Sequence, residues 1–196
     1  MNNLTVASIL RNKFSDKFGF TPEEVKALLK NYSLNDRYDE VMLWYNGYKF
    51  GNKILLNPWS VINYVDEKEA SPYWANTSSN DLVRMLIEEG PSGFKQDITL
   101  LLNGEDIESV IDENIVFPDL KNSTKYIYSL LYFSGYLKCQ DKKMIEEDTV
   151  CTLCLPNKEV RYIYRNIISN WVEKGFQNDK LKQMYKALID GNLEEF

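Results

Sequence analysis

Histidine is absent from this 196-residue chain, and that absence removes a group of chemistries at once. A serine or cysteine hydrolase of the usual kind has no imidazole to accept the nucleophile's proton. Carboxylate chemistry stays open to the composition, but no convincing pair of carboxylates stands out. Cysteine is scarce: three residues, an odd number, which a reducing compartment keeps as thiols. Cys151 and Cys154 form a CxxC inside DTVCTLCLP, a run with the alternation of a strand, where residues three apart point to opposite faces. With only Cys139 remaining, four protein ligands for zinc cannot be assembled. The expectation is therefore no metal site and three buried apolar thiols. No apolar run approaches the roughly 20 residues of a bilayer span, and the start MNNLTVAS lacks the charged and apolar regions of a signal peptide. No membrane association and a cytoplasmic location are expected. Positive charge is also short, 23 Lys and Arg against 29 Asp and Glu for a net charge of −6, so the surface as a whole offers no broad field for phosphate backbones.

What is present is enough for a packed core: 44% of residues are hydrophobic and 27% charged, the composition of an ordinary globular chain. Residues 5–18 read as a short amphipathic helix. Thr21, Pro22 and Glu24 predict a capped helix start, with Val25, Leu28 and Leu29 as its buried stripe. The segment 45–56, with Gly51 and Asn52 as a turn pair, predicts a small hairpin. Asn57 and Pro58 predict the next helix, with Val61, Ile62 and Val65 on one side. A helix capped at Ser78 would bury Leu82, Met85 and Leu86 and stop at Gly90 and Pro91. Further helices are predicted over 94–102 and 124–133. The latter leads into a hairpin with an acidic tip, Asp141 near that tip, and a helix capped by Asn157. The chain closes with LKQMYKALID, Gly191 and LEEF, which reads as a helix beginning where the sequence stops and suggests a cut inside a longer polypeptide.

The strings NNLT (2–5), FGFTPEEV (18–25), WYNGYKFG (44–51), NPWSVINYV (57–65), YWANTSSNDLV (73–83), FSGYL (133–137) and LPNKEVR (155–161), in this order, resemble the bacterial AAA-ATPase-like family. In that family a P-loop ATPase module is followed by a PD-(D/E)XK nuclease-like domain. The family signature falls on Trp44, Tyr45, Asn46, Gly47, Tyr48, Phe50, Gly51, Asn57, Pro58, Tyr73, Trp74, Asn76, Thr77 and Asn80. A phosphate-cradling GxxxxGK[ST] does not occur, nor does an apolar strand ending in paired acids. The resemblance therefore implies the middle of such a protein, with ATP and magnesium belonging to the parent and no cofactor to this fragment. The order of predicted elements gives an α+β, mainly helical chain, with a winged-helix-like segment and its two-stranded wing over 117–196; the resemblance makes the helical region over 1–116, with the WYNGYKFG hairpin, lid-like. Its partner would be the remainder of its own ATPase chain, and by itself it would not be an enzyme.

Three candidate surfaces follow. WYNGYKFG is either a self-packing hairpin or a turn that docks on the ATPase core or stacks on a base. YWANTSSN surrounds a helix start that either caps itself or receives an anion, with Arg84 one turn along as a nucleotide-proximal candidate. Lys158, Arg161 and Arg165 share a helix face that either packs between domains or binds nucleic acid; the acidic 146–148 tip argues against contact. The pattern Pro118, Asp119, Asp141, Lys142 and Lys143 imitates a nuclease signature, but its carboxylates are not expected to converge.

Overall fold

The structure, a computed structural model, describes residues 9–76, 80–113 and 123–176. Among these residues it is an α+β chain of seven helices and two small antiparallel sheets. Helix α1 (Pro22–Asn31) starts on the capping box: the Glu24 amide donates to Thr21 Oγ1 (3.2 Å) and the Thr21 amide to Glu24 Oε2 (2.8 Å). It buries Val25 and Leu29. Helix α2 (Tyr38–Tyr45) follows a short 3₁₀ turn and runs to the edge of the hairpin β1 (Tyr48–Phe50) and β2 (Lys53–Leu55), whose turn is Gly51 and Asn52. Trp44 and Tyr45 thus close a helix rather than open the hairpin. Asn57 caps α3 (Pro58–Glu67), its Oδ1 accepting from the Trp59 amide at 3.0 Å. The buried face of α3 is Ser60, Val61, Tyr64 and Val65; Ile62 is 55% exposed, because it lies one residue, about 100° of helix, from Val61.

A second short 3₁₀ turn, Tyr73–Asn76, leads to α4 (Asn80–Glu89) and α5 (Ser92–Asn103). On α4 the buried face is Val83, Leu86 and Ile87, with Met85 turned outward; the cap expected from Ser78 and the Thr77 position lie outside the described residues. Gly104 ends α5 in the left-handed region. Then comes a strand that the sequence did not announce, β3 (Ile107–Val110), followed by α6 (Thr124–Phe133), β4 (Lys138–Ile145), β5 (Asp148–Cys154) and α7 (Lys158–Phe176). The expected two-stranded hairpin is two-thirds of a sheet in the order β3, β5, β4. Asp141 sits in β4 beside a register shift, and the tip is Glu146 and Glu147. Residues 9–19 form turns and bends instead of the expected helix.

Buried apolar side chains fall into two clusters. One joins α1, α2 and α3 through Val25, Leu29, Val41, Tyr45, Val61 and Tyr64. The other runs from Val83 on α4 through Ile107 and Leu131 to Ile167 on α7. A division near residue 116 has no counterpart in this packing, since β3 before it pairs with β5 after it. The change of core falls between residues 65 and 83. Helix α7 serves both sides, touching α2, the second 3₁₀ turn, α4 and α5. Cys139, Cys151 and Cys154 are buried free thiols, as their apolar setting in the strands requires.

Candidate functional site

WYNGYKFG, NPWSVINYV, YWAN, FSGYL and LPNKEVR, far apart in the sequence, meet where the two clusters join. Asn46 breaks α2 with extended backbone, and Gly47 follows at φ +116°, a region disfavoured for L side chains. A Cβ at Gly47 would stand 2.2 Å from the Pro156 carbonyl oxygen, so the glycine lets the hairpin press on the backbone that enters α7. Gly135, at φ +83°, is the second such contact: a Cβ there would lie 3.0 Å from the Tyr48 ring and 3.6 Å from Trp74. Trp74 stacks on Tyr136 (centroids 4.7 Å, 25° between planes), while Tyr48 meets Trp74 edge-on at 6.4 Å. Aromatic pairs in these geometries contribute roughly 0.5–1.5 kcal/mol beyond their buried area. The Tyr136 hydroxyl donates to Asn80 Oδ1 (2.7 Å), and Asn80 Nδ2 donates to the Ala75 carbonyl (2.6 Å). WYNGYKFG, YWAN, FSGYL and LPNKEVR therefore form one interlocked aromatic junction.

At its centre is Glu159, in the first turn of α7 and fully buried. Ser60 Oγ lies 2.8 Å and 3.0 Å from its two carboxyl oxygens, and the Trp74 amide donates to Oε1 at 2.9 Å. The Ser60 and Glu159 positions are 99 residues apart, so this group pins α3 and the 3₁₀ turn to α7. Among the described residues Glu159 makes no ion pair. Burial pushes its carboxyl up to about 7, against the hydrogen bonds from Trp74, Ser60 and Tyr73 that favour the anion. The Tyr48 hydroxyl is buried beside the amides of Asn57 and Asn157 without a hydrogen bond of ordinary geometry. Burial raises that phenol well above its usual range. Tyr45 closes the other side: its hydroxyl donates to the Ser71 carbonyl (2.9 Å) and accepts from the Ser71 amide (3.1 Å).

The other sequence candidates separate into those drawn into this junction and those left outside it. Lys158 Nζ lies 5.0 Å over the Trp44 ring. Arg161 donates to the Leu102 carbonyl at 2.8 Å and so satisfies the end of α5. The third of these candidates, Arg165, is exposed, with no such bond among the described residues. Arg84 is half-buried, paired with Asp81 at 3.4 Å, with its Nε buried and unbonded. Tyr73 donates to the Glu69 carbonyl (2.7 Å), Pro58 opens α3, and Asn76 ends the 3₁₀ turn. Pro118 and Asp119 lie outside the described residues, and Asp141 lies in β4. Glu159, Ser60, Gly135 and Tyr136 were not singled out from sequence. A glutamate in a first helical turn reads as a solvated partner of the helix dipole, and only the length-spanning contact with Ser60 marks this one as different.

Beside the junction opens a cleft of about 220 Å³. Its lining includes Phe18 and Phe50, which stack on each other at 6.2 Å, with Tyr48, Asn57, Trp74, Phe133, Gly135, Lys49 and Lys138. No helix among the described residues is long and apolar enough to cross a membrane.

No family model matches the chain, and no solved structure matches it. An uncharacterized protein in the vnfD 5′ region of Azotobacter chroococcum mcd 1 is similar, at 24% identity over 161 residues. That match covers 82% of this chain and 29% of the relative. The chain spans under a third of that relative's length.

Proposed function

We propose that this chain is a coupling region of a longer AAA-ATPase-like polypeptide, a lid-like helical unit and a winged-helix-like unit set between an ATP-binding core and a nuclease-like domain. The observation that carries the reading is the junction. The strings on which the resemblance rests are spent on locking two cores together through Gly47, Trp74 and Glu159, which is what a segment passing motion between neighbours requires. A second support is the outer face of the first unit, where Leu43, Trp59 and Ile62 are 59%, 56% and 55% exposed. Trp59 and Ile62 lie one turn apart on α3, an apolar surface suited to docking on the rest of the polypeptide. The matched portion of the longer Azotobacter protein is compatible with a module of this size. The chain itself carries no glycine-wrapped phosphate loop, so ATP and magnesium would be held by sequence elsewhere in the parent, and the chain alone would turn over no ATP.

The winged-helix-like reading of the second unit rests on the order α5, β3, α6, β4, β5 with β5 central in the sheet. Nucleic-acid binding, the alternative function for it, has weaker support. The helix before the hairpin buries five of its ten residues, its single lysine, Lys125, is paired with Asp112 at 3.5 Å, and Lys158 and Arg161 are engaged in packing.

The test uses the longer polypeptide that contains this sequence. Trp59→Asp with Ile62→Lys should leave the unfolding of the 196-residue chain within about 0.5 kcal/mol of wild type, yet lower ATP turnover of the longer protein about tenfold. Unchanged turnover would remove the coupling role. A salt-dependent shift of labelled duplex by the chain, abolished by Arg161→Glu with Arg165→Glu, would move the assignment to nucleic-acid binding.

A further inference from the structure

We propose that the cleft beside the junction is a binding site for a small aromatic acid. The inference goes beyond the coupling role and does not rest on it. Its volume of about 220 Å³ sets the size of the group it holds: an apolar cavity of ~150 Å³ accepts benzene, so this cleft has room for one ring or a fused pair. Its walls set the shape. Tyr48, Phe50, Trp74 and Phe133 line it, and flat aromatic walls favour a flat apolar guest. At Gly135 an added Cβ would stand 3.0 Å from the Tyr48 ring, closer than an ordinary methyl contact, so the glycine lets this wall pack against Tyr48.

Charge sets the remaining feature. Lys49 and Lys138 both line the cleft, and among the described residues neither is joined to a carboxylate in an ion pair. In a chain with six more acidic than basic residues, two lysines that line an apolar cleft and have no ion pair among the described residues favour an anion. A ring that carries a carboxylate satisfies the walls and the lysines together; a neutral ring satisfies the walls alone, and a ring carrying an ammonium is repelled.

The experiment compares three indoles of similar size on the intact 196-residue chain, followed by methyl and indole N–H shifts in NMR spectra. Indole-3-acetate should bind with a Kd on the order of 10⁻⁴ M, shifting the methyls of Leu55, Leu56 and Leu137, which also line the cleft, and the Trp74 N–H. The neutral 3-methylindole should bind about tenfold more weakly, and tryptamine more weakly again. In the Lys49→Gln, Lys138→Gln variant, whose spectrum should otherwise match wild type, the acid should lose its advantage and bind within about twofold of 3-methylindole. Equal binding of the acid and the neutral indole to wild type, shifts centred away from those four residues, or an advantage that survives the double substitution would each overturn the proposal.

Discussion

The first unit, 25–65, and the second, 83–167, differ in how large a core they bury. The second wraps a three-stranded sheet with helices on a long list of buried residues, and two of its basic side chains are used in packing, Arg161 on the end of α5 and Lys125 on Asp112. The first has a small core of helices and a three-residue-per-strand hairpin; both leave large apolar side chains in solvent, Leu43, Trp59 and Ile62 on the first and Met144 and Ile145 on the second. A unit of that size buries too little to be independently robust. It leans on the second through contacts that include Gly47 against Pro156, Ser60 against Glu159, and Tyr48 against Gly135. The difference teaches that the junction belongs to the stability of the first unit more than to that of the second.

Breaking the closest contact should have the largest effect. Gly47→Ala places a methyl on the Pro156 carbonyl at a backbone angle hostile to L residues, and should cost at least ~3 kcal/mol. Urea unfolding measures the loss, and hydrogen exchange should rise earlier in α1–α3 than in β4 and β5. Uniform exchange across both units would sink the comparison.

Next is the buried carboxyl. Glu159→Ala strands Ser60 Oγ and the Trp74 amide and should cost about 2–3 kcal/mol. Its titration offers a milder probe of the same contact. The folded carboxyl titrates at about 7, above its ordinary 4.5, so between those values the folded chain holds a proton that the unfolded chain has released. This contribution is fully present below about pH 4.5 and is lost as the pH rises through about 7, an effect of roughly 1–3 kcal/mol. Denaturation midpoints of wild type should fall across that window, and those of Glu159→Gln should fall less; parallel curves for the two proteins would show that Glu159 titrates in the ordinary range.

Smaller effects sharpen the picture. Tyr136→Phe removes the donor to Asn80 and should cost roughly 1 kcal/mol, read from thermal unfolding, with the aromatic stack retained. Lys158→Met should cost about 0.5–1 kcal/mol through loss of the ammonium over Trp44. A double substitution with Trp44→Leu should then be less than additive.

Much of the local structure could be read from the chain. The Thr21 capping box, the Asn57 and Asn157 caps, the Gly51–Asn52 hairpin turn and the span Thr124–Phe133 occur where their residues predict them, because each depends on hydrogen bonds between neighbours a few positions apart. The misses share a cause of the opposite kind. IESV carries no turn signal or long alternation, and it is a strand because β5 offers an open edge. Ile62 and Met85 were assigned to buried faces on hydrophobicity, while the actual faces are set by which neighbours the helices meet. Within the site, the aromatic strings were visible as unusual. That they converge, and that Glu159 is their centre, was not.

By itself the sequence determined where backbone turns and where helices begin, since glycine, proline, asparagine and threonine act on the dihedrals and amides beside them. It also determined that no imidazole chemistry and no phosphate loop lie within these residues. Only the tertiary structure decided that an ordinary-looking glutamate would be buried against a serine 99 positions away, that two glycines would serve close approach instead of flexibility, and that two lysines would line an aromatic cleft. The physical reason is that burial and dielectric are properties of the packed whole: a carboxylate's environment is fixed by which distant segments enclose it, and no local pattern encodes that.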